Sequence, residues 1–368
     1  MRVLYLGLEP YRERYTEFLT GWVEAAALRE GVSLDSVVPP MGGVDGIRTG
    51  RVLDAHRRCV WGCQQVAEAV ERLRSERYDW VLVEDCFTPG FEALPYCLEQ
   101  TWWREGRRPR IAVRNWAQSV DVFDFTHPWR GWMRPFEGMV DHVSSVTFVA
   151  SSEHAALLHS CGLDSSAVEV VGLPFDSAFV AGCVGGPLPY SDRAAPPRVV
   201  YSSRLDSEKD PLFFLRVAEG MRGEAEFVVC SGAAELRSNV PAIAEAFHRA
   251  ADEGLIQVRV GLSKLEYYTI LRGAMVQFNC ALQDWVSFTA LDASALGVQT
   301  VAPCFRGFPE ALGGQRSESL YIPGRVDGAI HALRACLSSP APVSRIRQLA
   351  EFHDGTIPRM FDAMRRFL

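Results

Sequence analysis

The chain has 368 residues, of which 48% are hydrophobic and 23% charged, a composition typical of soluble proteins with about two domains. No stretch approaches the ~20 apolar residues that span a bilayer, and the apolar run at the start is too short for a signal peptide. The ten cysteines are scattered without any Cys-x-x-Cys pair, which disfavours a disulfide scaffold and a zinc site. We therefore expect a cytoplasmic protein whose cysteines are free and buried.

The net negative charge of the chain comes from its first half. Residues 1–185 hold 18 arginines and 25 acidic residues, whereas 186–368 hold 20 basic and 20 acidic residues. Any contact with nucleic acid would therefore need a local basic patch. Lys209 and Lys264 are the two lysines of a chain with 36 arginines. Each is expected where a compact ammonium is needed rather than a planar guanidinium.

Short apolar runs alternate with helical stretches in the first half. The runs that predict strands lie at 2–7, 80–84, 111–113, 146–150 and 168–173, and the clearest helical pattern lies between Thr16 and Leu28. Because the runs are continuously apolar, they indicate a parallel sheet that is covered by helices on both faces.

A segment rich in Gly and Pro, 182–197, predicts a hinge between two domains. After it, strands are predicted at 199–202, 226–230, 256–260, 275–280 and 300–302. The predicted fold is α/β, with two doubly wound, Rossmann-like domains at 1–185 and 186–342, and helices at 343–368 that cross back to the first domain. Ligands of such sheets bind beyond the carboxyl ends of the strands, so the two sheets would face one cleft.

The strongest local signal follows the strand at 199–202. A polar loop carries Arg204 and Lys209, and a helix is predicted to begin with Asp210 as its N-cap and Pro211 in its first turn. Two cations at the carboxyl end of a strand could hold a diphosphate, Arg204 as a fork and Lys209 as a point charge. The alternative is a solvated surface loop.

A second signal is the strand–loop–helix pattern at 279–296. Asp284 lies in the loop and Asp292 about one turn into the helix, whose start at Ser287, Phe288 and Thr289 could receive a phosphate. Carboxylates beside a phosphate site suit the hydroxyls of a sugar or a ribose. Capping or solvation would explain either aspartate alone, and their joint spacing favours the binding interpretation.

These two segments resemble the carboxyl-terminal half of the large retaining family of GT-B glycosyltransferases. Arg204 and Lys209 match the pair that binds the donor diphosphate in that family, and Asp284 and Asp292 stand eight apart, where the family has two glutamates. The resemblance implies a nucleotide diphosphate sugar as donor, with Asp284 on the sugar and Asp292 on the ribose. Both glutamates are replaced by aspartate here, and Trp285 begins a turn that is Gly-rich in the family. Charge type is kept, which favours a divergent enzyme.

The first half would bind the acceptor. Five arginines from Arg104 to Arg114, among them Arg107 and Arg108, accompany tryptophans around one predicted strand. Such a strip could grip a phosphate backbone and stack a base. The alternative is core tryptophans beside a solvated loop. The expected acceptor residues are Arg107, Arg108, Trp116, Gln118, and the two aspartates that follow predicted strands, Asp85 and Asp121, while Gly7 is assigned to the donor.

The loops at 7–16, 52–56 and 84–96 also resemble putative bacteriophage glycosyltransferases that modify hydroxymethylated pyrimidines in DNA. This resemblance implies the hydroxymethyl group of 5-hydroxymethylcytosine as acceptor and the host cytoplasm as location. A flipped base needs only a local basic rim, so the charge of this half does not exclude DNA.

The sequence thus predicts transfer of a hexose, glucose from a UDP-sugar, to a hydroxyl with retention of configuration. By resemblance the reaction needs no metal and no cofactor beyond the nucleotide sugar, and no histidine has metal-ligand spacing. Three alternatives stay open. The acceptor could be a bacterial glycan, lipid or small metabolite, the chain could be a degenerate binding or regulatory subunit, or it could epimerise a nucleotide sugar.

Overall fold

A computed structural model describes residues 1–11, 14–40, 55–105, 108–124, 126–314 and 317–368, apart from the side chains at 55 and 101–105. Contacts divide the chain into two compact units. Unit 1 contains the described residues of 1–174 together with Gly355–Leu368, and unit 2 contains Phe175–Asp354.

Unit 1 is built on a six-stranded, all-parallel sheet. Its strands are β1 (Arg2–Leu6), β2 (Ser33–Val37), β3 (Trp80–Val83), β4 (Arg110–Arg114), β5 (Val146–Val149) and β6 (Ala167–Val170). Its helices are α1 (Tyr15–Arg29), α2 (Ala55–Ser75), α3 (Ala93–Glu105), α4 (Arg130–Val143), α5 (Ser152–Ser160) and, at the end of the chain, α14 (Thr356–Arg366). The strand order is β2-β1-β3-β4-β5-β6.

The core of unit 1 follows from its continuously apolar strands. All residues of β3 and β5 are buried, because helices cover both faces of the sheet. The terminal helix α14 belongs to the same core and buries Met360, Phe361 and Met364 in it. Strand β2 was not predicted, since its sequence Ser-Leu-Asp-Ser-Val has no apolar run, and it lies at the edge of the sheet.

Unit 2 repeats the architecture. Its strands are β7 (Arg198–Tyr201), β8 (Glu226–Cys230), β9 (Gln257–Arg259), β10 (Val276–Phe278), β11 (Gln299–Pro303) and β12 (Leu320–Tyr321). Its helices are α6 (Ser177–Val184), α7 (Pro211–Gly220), α8 (Pro241–Asp252), α9 (Lys264–Arg272), α10 (Phe288–Ala295), α11 (Phe308–Ala311), α12 (Val326–Ser338) and α13 (Val343–Asp354). The strand order is β12-β11-β10-β7-β8-β9. Buried aromatic rings dominate its core, for example Phe213, which stacks on Tyr321 with ring centroids 5.3 Å apart. The predicted α/β fold with two doubly wound sheets is confirmed.

The Gly- and Pro-rich segment at 182–197, predicted as a hinge from its composition, makes hydrogen bonds within unit 2. It starts within α6 and lies wholly inside unit 2. Arg193 anchors it, because its buried guanidinium donates to the carbonyls of Ala274 at 3.1 Å and Gly297 at 2.7 Å. Tyr190 adds a hydrogen bond to the carbonyl of Ala341 at 2.7 Å. Two long side chains therefore fix a segment in which low apolar periodicity indicated a linker.

All ten cysteines are free, as expected. They are not all buried: Cys59 and Cys63 are exposed on α2, where the sequence pattern predicted burial. No helix of the described residues is long and apolar enough to cross a membrane.

Candidate functional site

The order in which strands are added to the sheet of unit 2 reverses between β7 and β10. From β7 the chain proceeds to β8 on one side, and it later returns to place β10 on the other side. Such a switch point leaves a crevice beyond the carboxyl ends of the two strands, which is where open α/β sheets bind ligands. The loops at 202–210 and 279–287, which carry the residues singled out above, both begin there.

Arg204 lies in the first of these loops, between two carboxylates. Its Nη2 donates to Glu208 Oε1 at 2.8 Å, and Nη1 contacts Asp206. Burial raises the pKa of Asp206 above its ordinary value, and the Arg204 charge opposes that shift. The Arg204 side chain is 27% exposed, so its guanidinium is reachable from solvent although it is paired.

Lys209 is not a solvated loop residue but is buried against the second loop. Its Nζ donates to Gln283 Oε1 at 3.0 Å and contacts the carboxylate of Asp284. The backbone joins the same loops, because the N–H of Leu282 donates to the carbonyl of Glu208 at 3.2 Å. The structure therefore brings together Lys209 and Asp284, which are far apart in sequence and were both predicted to be functional.

Helix α10 begins where the second loop ends, with Ser287 at the N-cap position and Phe288 as its first residue. The Ser287 hydroxyl does not cap the helix. It accepts from Asn279 Nδ2 at 3.0 Å and lies 2.9 Å from the hydroxyl of Thr289, which in turn accepts from Gln277 Nε2 at 3.2 Å. This buried network fixes the start of α10, whose positive dipole end lies at the crevice.

Asp292 is buried inside unit 2, on the part of α10 that packs against α9. Burial raises the pKa of Asp292, whereas the charge of Lys264 and the hydroxyls of Tyr268 and Tyr267 oppose the rise. Asp284 differs from it, because Asp284 lies in the loop beside Lys209. The two aspartates that were predicted to act together thus have separate surroundings.

The sheet of unit 1 has its own switch point, between β1 and β3. Gly7 follows β1 there, and a Cβ atom at this position would lie 2.8 Å from Thr20 Oγ1 and 3.0 Å from Val38 Cγ2. A side chain at this position would therefore force Thr20 or Val38 to shift, because packing around the end of β1 is close. The side chain of Gln65 holds the same turn by donating to the carbonyl of Gly7 at 2.8 Å.

An arginine that the sequence did not single out organises this edge. Arg58 of α2 donates through Nη1 to both carboxylate oxygens of Glu9, at 2.9 and 3.1 Å, and through Nη2 contacts Asp85. Burial raises the pKa of Glu9, and the charge of Arg58 opposes that rise. An arginine within a helix gives no sequence signal of such a role, whereas Asp85 was predicted from its place after a strand.

A fully buried ion pair lies beside this trio. Arg114 Nε donates to Glu84 Oε1 at 2.6 Å, and Tyr5 donates to the other carboxylate oxygen at 3.2 Å. Trp116, a predicted acceptor residue, donates through Nε1 to the backbone carbonyl of Glu84, and the Arg114 guanidinium lies 5.5 Å from its ring centroid. Trp116 is therefore part of the carboxyl edge of the sheet.

Gln118 and Asp121 are both buried in the loop that follows β4. Asp121 accepts from the N–H of Phe123 at 3.0 Å. Gln118 donates from its side chain to the carbonyl of Ala117 at 2.9 Å, and its backbone N–H donates to Asp124 at 3.2 Å. These contacts order the loop itself.

Of the arginine strip, Arg114 contacts Trp116, whereas Arg108 does not lie with the predicted acceptor residues. Arg107 and the side chain of Arg104 lie outside the described residues. Arg108 pairs with Glu99, and both side chains are about half exposed. Because Arg108 precedes β4, it lies at the amino edge of the sheet, opposite the edge that carries Asp85. Among the described residues, no group of three or more His, Cys, Asp or Glu could hold a metal ion.

Neither a protein-family model nor a curated protein sequence matches the chain. Solved structures do match along both units. Sucrose-phosphate synthase from Thermosynechococcus elongatus matches with a TM-score of 0.65 and 13% identity, covering 99% of this chain and 96% of that one. Trehalose-6-phosphate synthase OtsA matches with a TM-score of 0.66 and 12% identity over 100% of both chains. HepE from Anabaena, solved with UDP-glucose, matches with a TM-score of 0.63 and 11% identity, covering 100% of this chain and 99% of that one.

The two parallel six-stranded sheets, their switch points and these similarities together define the GT-B fold of glycosyltransferases.

Proposed function

We propose that this chain is a nucleotide-sugar-dependent hexosyltransferase, which moves a hexose from a UDP-sugar to a hydroxyl group. The observation that carries the proposal is the contact of Lys209 with Asp284 across the switch point of unit 2. A cation and a carboxylate at this crevice match the two needs of such a donor, a charged diphosphate and a sugar rich in hydroxyls. The similarity to HepE, solved with UDP-glucose, supports the same donor class.

The diphosphate would replace carboxylates that now neutralise the two cations. Arg204 forms ion pairs with Asp206 and Glu208, and Lys209 forms one with Asp284. If the ammonium of Lys209 bound a phosphate oxygen instead of Asp284, that carboxylate would be free to accept hydrogen bonds from the hexose. Arg204, Lys209 and the start of α10 would then stabilise the charge that develops on the leaving diphosphate.

Asp292 would accept from the ribose hydroxyls, as the resemblance implies, while Ser287, Phe288 and Thr289 would face the phosphates. Retention of anomeric configuration belongs to the same proposal. The roles of Asp292, Ser287, Phe288 and Thr289 require no residue of unit 1, so donor binding alone tests them, whereas the anomeric configuration of the product tests retention.

The acceptor would meet the carboxyl edge of unit 1. There Glu9 and Asp85 share the single guanidinium of Arg58, which leaves this trio with a net negative charge. These side chains are largely buried, and the part of the carboxylates that they expose would accept hydrogen bonds from hydroxyls and repel phosphates. We therefore favour a neutral sugar, glycan or other polyol as acceptor over 5-hydroxymethylcytosine in DNA, which Arg108 at the opposite edge does not support.

The test is to incubate the purified protein with UDP-glucose, UDP-galactose or GDP-mannose and to measure release of the nucleotide diphosphate. Each donor is offered with a panel of neutral sugars and polyols, and with DNA that contains hydroxymethylcytosine. Mass spectrometry then detects a hexose added to the acceptor. Donor turnover that Lys209→Ala abolishes supports the proposal, whereas tight donor binding without hydrolysis or transfer indicates a binding subunit. A changed nucleotide sugar without acceptor indicates an epimerase.

A further inference from the structure

The second of the two lysines also lies beside the candidate donor site. Lys264 is the first residue of α9, and its Nζ lies 5.4 Å from the ring centroid of Tyr267 and 5.3 Å from that of Tyr268. An ammonium at this distance from two aromatic faces is attracted by both rings. The chain has 36 arginines and two lysines. Both lysines adjoin a predicted donor aspartate, Lys209 beside Asp284 and Lys264 near Asp292.

The two tyrosines connect Lys264 to the rest of the site. Both are buried and face Asp292 of α10, which is buried as well. The hydroxyl of Tyr267 also lies 3.1 Å from the hydroxyl of Ser202, which follows β7 and stands two residues before Arg204. A chain of contacts thus runs from Lys264 through the tyrosines to Asp292 and to the loop of Arg204.

We propose that Lys264 is a positioning residue of the donor site, which acts through Tyr267 and Tyr268 to hold buried Asp292 as an oriented carboxylate for the nucleotide ribose. The inference rests on the proposed function, because it gives Asp292 a ribose to bind. Lys264 itself need not touch the donor.

Electrostatics explain why a cation is required at this position. A buried carboxylate without a compensating charge takes up a proton, and a carboxylic acid accepts hydrogen bonds from hydroxyls less well. The groups that oppose protonation of Asp292 are Lys264, Tyr268 and Tyr267 of α9. Two thiols face this cluster from other elements, Cys183 of α6 toward Lys264 and Tyr268, and Cys230 of β8 toward Tyr267. The high pKa values of both tyrosines keep their hydroxyls protonated and able to donate.

The first experiment measures the dissociation constant of UDP-glucose as a function of pH for the wild type, Lys264→Gln and Lys264→Arg. Loss of the charge raises the pKa of Asp292 further, so the donor affinity of Lys264→Gln should fall relative to the wild type as pH is lowered and recover as pH is raised. Lys264→Arg should keep most of the affinity and the wild-type pH profile. Arg249→Gln, at an exposed cation on α8 of the same unit, is the matched control and should change nothing.

An equal, pH-independent loss in both Lys264 variants, or no loss in Lys264→Gln, would overturn the inference. The Asp292→Asn background sharpens the test, since Lys264→Gln should add no further pH dependence once the carboxylate is gone. An additional pH-dependent loss in that background would assign the effect of Lys264 to another group.

A second measurement separates this inference from the proposed function, because it needs no donor. The folded-state pKa of Asp292 lies above the unfolded value, so folding stability falls as pH rises through that window. Lys264→Gln extends the window upward, and its loss of thermal stability relative to the wild type should therefore grow as pH rises through that window. A wild type that binds no nucleotide sugar refutes the proposed function, whereas a stability difference that is flat with pH refutes the coupling of Lys264 to Asp292.

Discussion

The ammonium of Lys209 contacts the carboxylate of Asp284, although 75 residues separate them in sequence. The contact exists because β7 and β10 are neighbours at the switch point of the sheet, so the loops that follow them meet. Each group satisfies the other in the free protein. A donor that binds as proposed would therefore compete with an internal ion pair, and the two residues would exchange partners.

Replacement of Lys209 by Ala should lower turnover at least ~100-fold, the scale of losing one donor that stabilises transition-state charge. Lys209→Arg should restore only part of the rate, because a planar fork does not reproduce a compact point charge. Steady-state kinetics with UDP-glucose measure both effects, and circular dichroism checks that the variants fold.

The control is Arg222→Ala, which removes an exposed cation that pairs with Glu219 on the surface of unit 2. It should leave turnover unchanged. Near-wild-type activity of Lys209→Ala would place the diphosphate elsewhere.

The two aspartates should fail in different ways. Asp292→Asn should chiefly weaken donor binding, since Asp292 is assigned to the ribose, whereas Asp284→Asn should lower turnover and relax the choice among hexoses. Calorimetric titration with UDP and with UDP-glucose, combined with kcat for several donor sugars, separates these outcomes. Identical losses of affinity and rate in both variants would contradict the assignment of roles.

Much of the fold could be predicted because its signal is local. Runs such as Trp80–Val83 are apolar throughout, and only a doubly covered parallel strand needs that pattern. Two edge strands were not predicted. Ser33–Val37 is polar in sequence, and Leu320–Tyr321 is only two residues long. The segment 182–197, which was interpreted as a hinge from its Gly and Pro content, groups with unit 2, where Arg193 supplies polar anchoring that apolar periodicity does not register.

The residues of the candidate site also differ in whether the sequence could predict them. Arg204, Lys209 and Asp284 could be singled out because each lies in a loop that follows a strand, where topology brings loops together. Arg58 and Lys264 were not assigned to the site, since their partners come from other elements. Arg58 meets Glu9 across 49 residues, and Lys264 faces Asp292 from a different helix. Nothing in the sequence near either residue encodes those contacts.

The buried pair of Glu84 and Arg114 predicts a pH-dependent loss of stability. Arg114→Met leaves a carboxylate without its cation, and breaking such a pair costs about 3–5 kcal/mol. Burial already raises the pKa of Glu84, so removal of Arg114 raises it further, and protonation relieves the cost as pH falls. Denaturant unfolding should therefore show a larger loss near pH 8 than near pH 5.

Glu84→Gln in the Arg114→Met background should recover part of that stability, since it removes the uncompensated charge. Arg74→Met, which breaks an exposed pair with Glu71, is the control and should cost less than about 1 kcal/mol at either pH. Equal losses at both pH values would show that the cost of Arg114→Met comes from packing rather than charge.

The class of acceptor predicts the response of the enzyme to salt. A DNA acceptor held through Arg107 and Arg108 would lose affinity with a slope of roughly −0.9 in log affinity against log salt for each phosphate contact. Arg108 instead lies at the amino edge of β4 and pairs with Glu99, away from Asp85. We therefore expect Arg107→Ala/Arg108→Ala to leave donor turnover and acceptor KM unchanged, and acceptor KM to vary little between about 50 and 200 mM salt. A steep salt dependence with hydroxymethylcytosine DNA, reduced in the double variant while binding of UDP-glucose persists, would instead favour the nucleic-acid acceptor.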